Sequence, residues 1–102
     1  MSNTVTNENV FSAEATATGT LVAAAQGRLR GVWVEAGASA GTLIFKDGGA
    51  GGTIILTLDT PAGVNMAYMA IPGGGIAYGT DLHVTVSNAA GVTVIYATDN
   101  TL

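Results

Sequence analysis

An antiparallel β-sandwich of jelly-roll type, all-β and built from about seven to nine short strands, is the fold that three features of this 102-residue sequence predict. The first is a series of short runs rich in β-branched, aromatic and aliphatic residues. They recur at roughly ten-residue spacing with turn signals between them. The second is that no stretch pairs an apolar stripe with the charged face that an exposed helix would show, so the crossover helices of a parallel sheet are missing. The third is Thr42 to Pro61, TLIFKDGGAGGTIILTLDTP, in which two apolar β-forming runs flank a glycine-rich link. Asp47-Gly48 is a strong turn dipeptide, and the glycines up to Gly52 permit positive φ where a hairpin link demands it.

In chain order, Met1 to Asn9 is polar and without periodicity and reads as an arm. Val10-Phe11 adds an apolar plug, so residues 1–11 are assigned to the arm and residues 12–102 to the sandwich domain. Ser12 to Ala25 alternates Ala with Thr16, Thr18 and Thr20 and is broken at Gly19, which predicts two short strands. Arg28 to Ala36 is a clearer strand. Period two places Leu29, Gly31, Trp33 and Glu35 on one side and Arg28, Arg30, Val32 and Val34 on the other, and Gly31 leaves room beside Trp33 for a neighbouring ring or backbone. In the second arm of the hairpin, Ile54, Leu56 and Leu58 face the core. Val64 to Ile71 is a further strand, ended by Pro72 and three glycines. Ile76 to Tyr78 is short. Thr80 to Ser87 alternates cleanly, with Leu82, Val84 and Val86 inward and His83, Thr85 and Ser87 outward. After a turn at Asn88 to Gly91, Val92 to Ala97 is the last strand.

The length suits one domain with a core large enough to need no staple, and with no cysteine there is neither a disulfide framework nor a thiolate metal site. Arg28, Arg30 and Lys46 are the only cations against seven acids, giving a formal net charge of -4. That balance argues against binding nucleic acid or an anionic membrane surface. No basic segment precedes an apolar stretch at the N-terminus, so synthesis in the cytoplasm is expected. Only 10% of residues are charged while 48% are hydrophobic. A soluble monomer usually relies on charge to keep its copies apart, so an exterior of Thr, Ala and Gly is expected to meet other subunits.

Catalytic chemistry is not in view. The glycine-rich links lack the phosphate-loop ending and the helix that must follow it, and the acids lack calcium-loop spacing. His83 is the only histidine, expected at the solvent. Trp33 reads as core, because a sugar platform usually presents aromatics together. The chain is therefore expected to be no enzyme and to need no cofactor. The residues singled out for partner contact are Val10 and Phe11, as an apolar anchor, and Arg28 and Arg30, which share a strand face and could meet a partner's carboxylates.

Three stretches, GRLRGVWVEAG (27–37), FKDGGAGGTIILTLDTP (45–61) and IPGGGIAYGTDLHVTVSNAAGVTVIYA (71–97), together resemble small virion structural proteins of tailed bacteriophages, especially those of marine and cyanobacterial phages. The resemblance implies a capsid decoration, or cement, protein on the outer surface of the virion. Its partners would be the major capsid protein and its own copies, commonly as a homotrimer, and it carries over no catalytic residue. A head-fibre, knob or tail component of the same virion is an alternative, as is a carbohydrate-binding β-sandwich module.

Overall fold

The computed structural model describes residues 10–23, 25–63 and 67–98. The expected arm from Met1 to Asn9 lies outside them. Among the described residues there is no helix and there are nine strands: β1 (Val10–Ala15), β2 (Gly19–Val22), β3 (Gly27–Ala36), β4 (Gly41–Asp47), β5 (Thr53–Thr60), β6 (Ala67–Ala70), β7 (Ile76–Tyr78), β8 (Leu82–Ser87) and β9 (Ala89–Thr98). β1 opens at Val10, so Val10 and Phe11 are strand residues in register with Ala97 and Tyr96.

One sheet has the order β1-β9-β3-β6, with β7 also paired to β3, and the other has the order β2-β8-β4-β5. All pairings are antiparallel. First and last strands pair, second and second-last pair, β3 pairs with β6 and β7, and the β4–β5 hairpin closes the nest. This is one long antiparallel ribbon rolled up on itself, the jelly roll that strand spacing predicts, with the strand order now defined. β6 and β7 together fill one strand position. Ile71 N–H still donates to Arg30 O at 2.9 Å, after which Pro72 to Gly75 turn out and return. Gly75 allows that return, since its φ is +99° and a Cβ there would lie 2.5 Å from Leu29 O.

The core lies between the sheets and is formed by Leu29, Val32, Val34, Leu43, Phe45, Tyr78, Leu82, Val84, Val92 and Val94. The hairpin link behaves as its glycines predict: Gly48 and Gly49 have φ of +105° and +83°, and a Cβ on Gly52 would meet Asp47 O.

Two β-bulges alter the faces that strict alternation assigns. In β3 the register shifts between Leu29 and Gly31, so Leu29, Val32 and Val34 all reach the core and Trp33 turns out to solvent. Trp33 is therefore not a core residue, contrary to its apolar setting in the sequence; it is 41% exposed. In β5 the shift opposite Phe45 and Lys46 keeps Leu56 and Leu58 beside Phe45 and Leu43 but places Ile54 beside Lys46, where it is exposed. A bulge inserts one residue and so inverts the parity of everything beyond it. His83 departs differently. It stands on the outward face with Thr20 and Lys46 as cross-strand neighbours, yet it is buried, because β8 is a central strand flanked on both sides.

One end of the sandwich is closed by two exchanged carboxylates. Asp47, at the end of β4, accepts N–H bonds from Gly79 (2.8 Å), Thr80 (2.9 Å) and Asp81 (3.3 Å). Asp81 Oδ1 in turn accepts from Gly48 (2.8 Å) and Gly49 (2.9 Å). Each link is thus held by the acid of the other.

Candidate functional site: the outer face of the β1-β9-β3-β6 sheet

Strand register lays this face out as rows running across the strands. The first row is Val10, Ala97, Arg28 and Ala77; the second is Ser12, Ile95, Gly31 and Ala70; the third is Glu14, Thr93, Trp33 and Tyr68. Beyond the third row stands Glu35, opposite Gly91. The cation Arg28 therefore lies at one end of the face and the carboxylates of Glu14 and Glu35 at the other, with Arg30 at the bulge between the first and second rows.

Trp33 and Tyr68 form a tilted ring pair with centroids 5.5 Å apart and planes at 43°. The pair exists because Gly31 has no side chain: a Cβ there would lie 2.5 Å from the Tyr68 hydroxyl oxygen. The room that glycine leaves beside Trp33 is thus filled by a ring, as the sequence predicts. On the far side of the indole, Glu14, Glu35 and Thr93 surround a shallow recess floored by Gly91 and Val92. Tyr68 and Trp33 are 51% and 41% exposed, an unusual pairing of large rings on an open sheet face.

Of the four residues singled out for partner contact, Val10 and Arg28 share the first row, and Arg30 follows at the β3 bulge. Phe11 does not join them. It lies on the opposite side of β1, in register with Tyr96, and makes a ring contact with it at 5.7 Å at the margin of the core, where it is still half exposed. Sequence reasoning missed Trp33, Tyr68, Glu14 and Glu35 as surface neighbours. The signal in the sequence is partial: Leu29 and Val32 are three apart, the spacing a bulge produces, but the consecutive Val32, Trp33 and Val34 hide which of them turns outward.

Elsewhere the polar groups serve the fold. The N–H donors of Gly79, Thr80 and Asp81, all in the link between β7 and β8, hold the Asp47 carboxyl below its usual range, and its oxygens are occupied by them. Burial, and then Tyr96, pushes the Tyr78 hydroxyl up to about 12, further from ionisation than an ordinary tyrosine. Among the described residues no group of three or more His, Cys, Asp or Glu is placed to hold a metal ion, and no helix is long and apolar enough to cross a membrane.

The class that fold and surface define is a jelly-roll module whose outstanding feature is an exposed aromatic pair on one sheet face. No family model, curated protein or solved structure matches the chain.

Proposed function

We propose that this protein is a non-enzymatic structural component of a virion of the tailed-phage type, a capsid decoration protein that binds the outer surface of the major capsid shell and stabilises it. The observation that carries the reading is the surface. Val10, Phe11, Trp33, Ile54, Tyr68 and Met69 are all exposed on a chain with only 10% charged residues, the character of a protein whose exterior is meant to be covered. The jelly roll is a frequent architecture of viral shells and lectins and supports the reading without choosing between those two uses. The resemblance of its β-strands to small virion proteins supports the first, with threefold clusters of copies on the shell as the expected arrangement. Cement of this kind acts by many individually weak contacts multiplied over symmetry copies. Quantitative gel densitometry or mass spectrometry of purified virions should find the protein at hundreds of copies per particle. A handful of copies would instead identify a fibre, knob or tail component.

A glycan-binding module is the second reading, and the Trp33–Tyr68 pair is what favours it. The ground for reading Trp33 as core was that sugar platforms present aromatics together, and here two exposed rings do stand together. A glycan array gives the test: binding that disappears in Trp33→Ala, with the far-UV circular dichroism unchanged, supports this reading, and silence across the array removes it.

A further inference from the structure

We infer that the Trp33 end of this sheet face is a site for a glycan that carries a free, protonated amine, with the sugar ring stacked on Trp33 and the amine held between Glu14 and Glu35. The inference rests on the reading of the Trp33–Tyr68 pair as a glycan platform, and it adds the class of glycan that the surrounding charges select.

The shape comes from the strand register. Glu14 in β1 faces Thr93 in β9, Thr93 faces Trp33 in β3, and Trp33 faces Tyr68 in β6. The two rings are tilted at 43° with centroids 5.5 Å apart, so they do not make one flat platform. A sugar ring therefore stacks on the indole alone, with Tyr68 as a wall on one side and the recess beside Glu14 and Glu35 on the other. That recess measures about 80 Å³. A water molecule's share of liquid volume is about 30 Å³, so the space admits a substituent of the sugar and not a second ring. Glycine keeps it open: a Cβ on Gly91 would lie 3.6 Å from Glu35 Oε1 and 3.4 Å from Ala15 O, in the floor between the strands that carry the two acids.

The chemistry comes from the charges. Ionised carboxylates only accept hydrogen bonds, so Glu14 and Glu35 require a donor. A protonated amine offers three donors and a charge, beside an indole that also attracts cations. An N-acetyl group has a single N–H and brings a carbonyl oxygen, an acceptor among acceptors, while an acidic sugar brings a like charge. The protein's own cations do not offset this field. Arg28 is five residues from Trp33, roughly 15 Å along a strand that rises about 3.3 Å per residue. Arg30 is nearer, but its Cδ stands beside Gly75, where a Cβ would lie 3.1 Å from it, at the turn between β6 and β7. Lys46 belongs to the other sheet and donates to Ala50 O. Asp59, which lines one cleft with Tyr68, adds to the negative field.

Trp33 is the only tryptophan, so its fluorescence reports directly on this site. The full chain is titrated at about pH 6, where an amine is protonated, with a glucosamine trisaccharide, its fully N-acetylated counterpart, a trigalacturonate, and spermidine as an amine without a sugar. The amine-bearing trisaccharide is expected to bind about tenfold or more tighter than the other three, and less so as salt rises. Glu14→Gln combined with Glu35→Gln should abolish that preference and leave the N-acetylated sugar unaffected, with circular dichroism confirming the fold. Trp33→Ala, followed by calorimetry, should lose the binding of every sugar. Equal or tighter binding of the N-acetylated or acidic sugar overturns the amine preference and leaves the glycan platform standing. Equal binding of spermidine would mean attraction to net charge alone and overturns it too. Silence from every sugar removes the platform itself and the inference with it.

Discussion

Truncating Phe45 to alanine is expected to cost about 3–5 kcal/mol of folding stability, the range for removing a buried aromatic ring. Phe45 is fully buried in β4, which is flanked by β5 on one side and β8 on the other. Its cross-strand neighbours on the core face, Leu56 and Val84, belong to two different strands. Collapse around the missing ring would therefore need both neighbours to move, and β8 is held in turn by β2. Because small domains have only about 5–15 kcal/mol of stability in all, the loss is a large share of the total. Urea unfolding should show the midpoint falling steeply with an unchanged slope. A change smaller than about 1 kcal/mol, below the published range for such truncations, would mean that the ring does not fill the centre of the sandwich.

Legibility differed from strand to strand. In β8 the apolar residues alternate without interruption, so Leu82 and Val84 were assignable to the core from period two alone, whereas in β4 the consecutive Leu43, Ile44 and Phe45 mark a strand without saying which of them turns inward. The glycine-rich links were legible for a related reason, since a positive φ at Gly48 and Gly49 is a local demand with a local residue signature. The fold class followed from strand spacing. Strand order did not, because pairing β1 with β9 depends on partners as far apart as Val10 and Ala97, and no local pattern encodes them. The candidate site was hidden by one bulged position in β3. Alternation carried through Leu29 to Trp33 puts the indole in the core, whereas one extra residue at Arg30-Gly31 turns it outward beside Tyr68. Burial of His83 was missed because period two reports which face a side chain is on and not whether that face is covered.

Replacing Asp47 with alanine is expected to cost about 2 kcal/mol, from the loss of three N–H bonds to a charged acceptor, and to loosen one end of the sandwich. The value is set toward the low end of what such bonds contribute, because the clasp is exposed and water can replace part of what is lost. Asp81→Ala should be milder, since Asp81 accepts two bonds where Asp47 accepts three. The two links hold each other, so the double variant should cost less than the sum of the single ones, with a coupling of roughly 0.5–3 kcal/mol. The clasp also has a pH signature. Its donors favour the carboxylate, so the folded-state pKa of Asp47 lies below the ordinary 3.8. The contribution is therefore fully present above about pH 4–5, where the unfolded chain is also ionised, and it is lost as pH falls through the folded value. Urea midpoints measured from neutral pH downward should accordingly drop more for the wild type than for Asp47→Asn, which retains an acceptor oxygen but has no proton to take up. Parallel curves for the two proteins between pH 5 and pH 2, about the window set by an unfolded Asp near 3.9, would show that the carboxylate charge of Asp47 contributes nothing to the clasp.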